Sequence, residues 1–146
     1  MHVTSPASQN MMTEKIAQTC LSAFPNTQAI YLFGSWGTTA EREESDVDLA
    51  LLLPHQQAKK LKSLYMTPLH HQLESLLHRD VDLINLRQVS TVLQKEVIAK
   101  NRRVYCADSY AADEFEMLTI SYYQKLNEER AGVLQSFFKS KRAYNV

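Results

Sequence analysis

The residues Val47-Asp48-Leu49-Ala50-Leu51-Leu52-Leu53 constrain the rest of the chain more than any others. All but Asp48 are apolar, and Pro54, which cannot donate to a sheet ladder, closes the run. A segment apolar on both of its alternating faces must be covered on both, so it reads as the central strand of a layered α/β domain. Two carboxylates, Asp46 and Asp48, stand at its head. Side chains alternate along a strand, so these two point the same way. At ~4 Å and an effective dielectric of ~20 their repulsion is roughly 4 kcal/mol. A fold that keeps such a pair calls for a cation held between them.

Upstream, Gln28 to Gly34 contains the apolar run Ile30-Tyr31-Leu32-Phe33, a short buried strand that ends in Gly34-Ser35. Trp36 to Ser45 then connects the two strands, with room for one helical turn. Val81 to Leu86 reads as a third strand, with Asp80 and Asp82 alternating against Val81, Leu83 and Ile84. Arg103 to Cys106 makes a short fourth.

Helices fill the remainder. Met12, Ile16, Ala17, Cys20, Leu21 and Phe24 recur at three- and four-residue spacing over Met11 to Phe24. Gln56 to Leu77 reads as a long helix that Pro68 kinks or splits, and Ser90 caps a helix over Val92 to Ile98. From Asp113 to Arg142 the residues Phe115, Leu118, Tyr122, Leu126, Val133 and Phe137 mark a long amphipathic helix, with a break expected near Gly132. The expected plan is a small mixed β-sheet flanked by helices, an α/β (α+β) fold with a long C-terminal amphipathic helix. Residues 1–9 are a flexible leader, 10–108 the core and 109–146 a helical tail.

Sixteen basic and sixteen acidic side chains cancel, so no global field favours nucleic acid or an anionic membrane. Cys20 and Cys106 match no metal-ligand spacing and read as reduced core thiols. No segment approaches the ~20 apolar residues of a membrane span. The expected location is cytoplasmic.

Gly34-Ser35, ten residues, Asp46-x-Asp48 and an apolar strand together resemble the signature of the DNA-polymerase-beta-like nucleotidyltransferases. The small size points within that superfamily to the minimal nucleotidyltransferases. The resemblance runs from Tyr31 to Tyr105 and includes Arg79-Asp80-Val81-Asp82-Leu83, where family members place a third carboxylate. It implies a nucleotidyltransferase fold and transfer of a nucleoside monophosphate to a hydroxyl, with release of pyrophosphate. Asp46, Asp48 and Asp82 become the catalytic and metal-binding residues. Hard oxygen ligands suit Mg²⁺, and two such ions would clamp the attacking and leaving oxygens. Gly34 and Ser35 become the nucleotide-binding turn. Many members carry an arginine and then a glycine where Thr38 and Thr39 stand here. Arg42 is therefore the basic candidate for the triphosphate, and Arg79 either shares that task or pairs with nearby carboxylates.

Asp82 is preferred to Asp80 because it matches the family position. His70, His71, Glu74 and His78 read as a solvated helix face, since the usual two-histidine zinc spacing with an intervening glutamate is absent. The small size leaves little room for an acceptor domain, and the neutral charge argues against a nucleic-acid acceptor. Minimal nucleotidyltransferases of this kind look like the antitoxin halves of HEPN–nucleotidyltransferase toxin–antitoxin pairs. That implies transfer of AMP from ATP to a tyrosine of a HEPN-type RNase toxin, with the tail as a docking surface. Two alternatives stay open at this stage. One is a small-molecule nucleotidyltransferase of the aminoglycoside-modifying type, and the other is an antitoxin that neutralises by binding alone. The tail stripe by itself fits a partner, the chain's own sheet or a homodimer.

Overall fold

The computed structural model describes residues 6–42 and 45–144. Four strands, β1 (Ala29–Leu32), β2 (Val47–Leu52), β3 (Val81–Asn85) and β4 (Arg103–Cys106), form one mixed sheet in the order β3-β2-β1-β4. β1 pairs antiparallel with both β2 and β4, whereas β3 runs parallel to β2. A parallel neighbour needs a crossover, and α2 (His55–Leu61) and α3 (Pro68–Leu77) supply it. β2 is central and fully apolar on its inner positions, as its composition requires.

Two cores sandwich the sheet. On one face Ile16 and Cys20 of α1 (Pro6–Ala23) and Leu69 and Leu73 of α3 cover Ile30, Leu49, Leu51 and Leu83. On the other, Val97 and Ile98 of α4 (Thr91–Ala99) and Ala112 and Phe115 of α5 (Ser109–Tyr144) cover Tyr31, Ala50 and Leu52. Asp48 shares the parity of Ala50 and Leu52 along β2, so it belongs to this second face. It projects from the end of the strand that the helices leave open.

Several boundaries differ from the sequence reading. α1 already starts at Pro6, inside the stretch expected as leader, while residues 1–5 lie outside the described residues. Pro68 splits the long crossover helix and occupies the first turn of α3, whose Thr67 side chain caps His70 N–H. A missing N–H costs nothing in a first turn, which is why proline is tolerated there. Ser90 caps α4 as expected, through Leu93 N–H. α5 is unbroken at Gly132, where exposed helix neighbours on both sides carry the ladder through.

Side-chain placements also correct expectation. His70 is buried rather than solvated. Its Nδ1 accepts from Met66 N–H and its Nε2 donates to the Val81 carbonyl, 2.7 Å away. His71 and His78 are exposed, as expected. Cys20 is buried, and burial pushes its thiol up to about 12, but Cys106 is an exposed thiol because β4 is an edge strand. Tyr122 is exposed, and only Tyr123 is half-buried, under the Lys95 ammonium.

The tail stripe packs only at its start. Phe115 is 7% exposed, whereas Val133 and Phe137 are 68% and 60% exposed. Tyr31 Oη donates to Glu116, and Arg103 pairs with Asp113 and Glu116, which fixes the first turns of α5 to the sheet. From Asn127 to Ser140 every residue is exposed. No helix among the described residues is long and apolar enough to cross a membrane.

Candidate active site

Three segments converge at the open end of the sheet. β1 leads into Gly34-Ser35, β2 begins behind Asp46 and carries Asp48, and β3 carries Asp82. The parallel register pairs Asp48 directly with Asp82, at the ~4.8 Å spacing of neighbouring strands. Asp46 and Asp82 are exposed and Asp48 is half-buried. Burial, then the Asp82 charge, then the Asp46 charge hold the Asp48 carboxyl above the usual carboxylate range. The cluster therefore carries uncompensated negative charge.

Gly34 is required by space. A Cβ built there would fall 1.8 Å from Asp48 Oδ2 and 2.8 Å from its carboxyl carbon. The bare Cα lets the turn lie directly against the carboxylate, and Phe33 N–H reaches the Asp48 carbonyl at 3.2 Å. The left-handed backbone falls instead on Gly37, at φ 80°, which L side chains rarely adopt.

Ser35 closes the loop. Its hydroxyl donates to Ser45 Oγ at 3.1 Å, and Ser45 Oγ accepts from Arg42 N–H at 2.8 Å. The ten-residue spacing between the two serines thus joins the start and end of the connection, placing Ser35 beside Asp46. Arg42 enters this network through its backbone. Its side chain is exposed and forms no hydrogen bond or ion pair among the described residues. Arg79 acts on the same loop from the start of β3. It donates to the carbonyls of Ser45 at 3.1 Å and Arg42 at 3.3 Å, and lies 3.6 Å from the buried Glu41 carboxylate.

The sequence reading missed Arg102. From the link between α4 and β4, its guanidinium donates to the Gly34 carbonyl at 3.0 Å and the Trp36 carbonyl at 2.7 Å. Burial lowers its pKa. The available signal was Asn101, a residue suited to the left-handed turn that it adopts at φ 53°. That turn reverses the chain out of α4 and sends Arg102 back across the sheet end.

An open groove begins at Asp82 and is lined also by Lys62, Tyr65, Ile84, Gln88 and Val89. Among the described residues, no three His, Cys, Asp or Glu side chains are drawn close enough to hold a metal ion as they stand. The donor set fits a hard divalent cation, and Asp48 is the member whose environment gains most from one. The arrangement is a carboxylate-lined cleft beside a tight glycine turn, chemically suited to a nucleotide polyphosphate and its cation.

Residues 14–110 match the family Polymerase beta, Nucleotidyltransferase, and the chain belongs to that family. Among individual relatives, it is 35% identical to the protein adenylyltransferase MntA of Shewanella oneidensis over 127 residues, 86% of this chain and 87% of that protein. It is also similar to a crystal structure of a toxin–antitoxin with AMP-PNP. There the identity is 30% and the TM-score 0.65, over 86% of this chain and 98% of that one. A third resemblance is to a structure of tri-AMPylated Shewanella oneidensis HEPN toxin in complex with MNT antitoxin. The identity is again 30%, with a TM-score of 0.63 over 89% of this chain and 98% of that one.

Proposed function

We propose that this chain is an antitoxin that acts as a protein adenylyltransferase, moving AMP from ATP to a tyrosine hydroxyl of a HEPN-type RNase toxin. The observation that carries the reading is the register of Asp48 with Asp82, beneath a Gly34 that leaves no room for a side chain. Similarity to a protein adenylyltransferase, to an AMP-PNP complex and to a complex with an AMPylated HEPN toxin supports the same activity and partner.

Asp46, Asp48 and Asp82 would hold Mg²⁺, which when bound supplies charge neutralisation at the phosphates and activates the incoming oxygen. The chain's own residues do the rest. Gly34 and Ser35 receive the polyphosphate against the head of β2. The acceptor hydroxyl enters along the groove that begins at Asp82, and that carboxylate takes its proton. The tyrosine oxygen forms a bond to the α-phosphorus while the bond to pyrophosphate breaks, and pyrophosphate leaves with the electron pair. Arg42, exposed on the loop, is free to turn toward the leaving phosphates.

The tail offers the partner a docking surface. Val133, Leu134, Phe137 and Phe138 are all more than half exposed on α5 beyond the body of the domain. An amphipathic helix with such anchors docks by laying them into a complementary apolar groove, and a helical toxin supplies one.

The test incubates the chain with α-labelled ATP, Mg²⁺ and a HEPN-type RNase toxin, with aminoglycosides in parallel. The expected result is AMP mass on a toxin tyrosine, lost in Asp46→Asn and Asp48→Asn. Label on a drug alone would overturn the acceptor. Neutralisation that survives in both variants would overturn catalysis in favour of binding.

A further inference from the structure

We propose that Arg102 is a positioning residue for the phosphate-binding turn, and that it makes the backbone N–H groups of Ser35 and Gly37 a pair of anion donors. The inference rests on the nucleotidyltransferase reading of the site and adds to it a residue from the link between α4 and β4 and a second donor.

The geometry is that of a fork. One guanidinium nitrogen donates to the Gly34 carbonyl and another to the Trp36 carbonyl, in the two peptide units whose N–H groups belong to Ser35 and Gly37. A trans peptide directs its C=O and N–H to opposite sides, and among the described residues no peptide bond is cis. Fixing the carbonyls of residues 34 and 36 on the Arg102 side therefore turns the N–H groups of Ser35 and Gly37 to the other. Among the described residues neither N–H makes an intramolecular hydrogen bond. Backbone N–H groups of one turn directed together to one side bind anions, and the left-handed Gly37 is what bends the second into place.

Arg102 itself is held for the task. Its carbonyl accepts from Leu32 N–H at 3.0 Å, so β1 anchors the residue whose side chain then grips the turn that follows β1. It forms no ion pair among the described residues. A half-buried guanidinium spent on two carbonyls is explained by shaping the turn. Its positive charge behind the turn also favours an anion in front. Lysine, a point charge without the planar fork, can satisfy one carbonyl well but not both at once.

The test measures binding of Mg²⁺·AMP-PNP and of AMP by calorimetry to the full chain, its Arg102→Ala and Arg102→Lys variants, and Gly37→Ala. Circular dichroism and melting temperature monitor the fold, and ¹⁵N-resolved amide spectra report on Ser35 and Gly37. Expected is a weakening of AMP-PNP binding of about tenfold in Arg102→Ala and a smaller loss in Arg102→Lys, with AMP affinity unchanged. A single charged or backbone hydrogen bond is typically worth about that factor. The Ser35 and Gly37 amides should move on AMP-PNP addition in the wild type and stay still in Arg102→Ala. Wild-type affinity in Arg102→Ala would overturn the proposal, as would an equal loss for AMP and AMP-PNP, which marks general collapse. A wild-type chain that binds no nucleoside triphosphate would overturn the nucleotide reading and the clamp together. A chain that binds it without moving either amide overturns the clamp alone.

Discussion

Asp48→Asn should stabilise the fold while removing its activity. Asp48 stands in register with Asp82 and close behind Asp46, and its carboxyl is held above the ordinary range by burial and by both charges. A raised carboxyl pKa means that the folded chain binds this proton more tightly than the unfolded chain does. Its contribution to stability is therefore greatest below the ordinary aspartate range and is lost as pH rises through the folded value. At neutral pH the ionised Asp48 opposes folding. For Asp48 and Asp82, at the ~4.8 Å of neighbouring strands and an effective dielectric of ~20, the repulsion is roughly 3.5 kcal/mol. Asp46 and Asp82 are exposed, and screening reduces such pairs to the ~0.2–1 kcal/mol measured at surfaces. Relief of about 1 kcal/mol remains for the isosteric amide, a rise of about 2–4 °C in melting temperature for a chain of this size. Differential scanning calorimetry in EDTA at pH 7 and at pH 3.5 measures it. The gain should be present at pH 7 and shrink towards pH 3.5, as the pH falls through the raised folded value and the wild-type carboxyl takes up its proton. Mg²⁺ at tenfold its dissociation constant should then raise the wild type by about 1.4 kcal/mol and leave the variant unmoved. An unchanged or lower melting temperature for Asp48→Asn at pH 7 would refute the charge-crowding argument.

Four further outcomes follow from the structure. Gly34→Ala forces its methyl into the Asp48 carboxylate, which should cost about 1–3 kcal/mol as overpacking and abolish adenylyl transfer. Gly132→Ala, with nothing within 4 Å of the new carbon, should leave transfer intact and stabilise the helix by up to ~1 kcal/mol; paired denaturant titrations and transfer assays read both. Arg79→Met leaves the Glu41 carboxylate, 3% exposed, without its cation and should destabilise by about 3 kcal/mol. Adding Glu41→Gln should recover part of that loss in a double-mutant cycle. Val133→Glu with Phe137→Glu alters only exposed helix positions, so stability should stay within ~0.5 kcal/mol while co-purification with the HEPN toxin is lost.

The fold was legible wherever periodicity and composition act locally. Val47–Leu52 had to be a central strand because it is apolar on both faces, and Ser90 had to start a helix because its side chain can satisfy an orphan N–H. Pro68 announced a disruption, but only packing decided a clean split into two helices. The break expected in the tail helix near Gly132 is absent, since a single glycine weakens a helix without interrupting it when its neighbours continue the ladder. His70 and His71 are adjacent and alike in sequence. Which of the two is buried depends on how α3 rolls against β3, and no local pattern encodes that.

The sequence by itself determined the chemistry available. Two carboxylates share a parity at the head of one strand, a third stands on the next apolar run, and a glycine ends the strand before them. Type, order and spacing suffice for this, because strand alternation and the short reach of a hairpin leave few ways to assemble them. Only the tertiary structure decided the register that sets Asp82 beside Asp48, the contact that forbids a side chain at residue 34, and the arrival of Arg102 from the link between α4 and β4. Each depends on residues tens of positions apart meeting at one point. Chain closure over that distance is governed by the packing of two cores on one sheet, to which no single stretch of sequence refers.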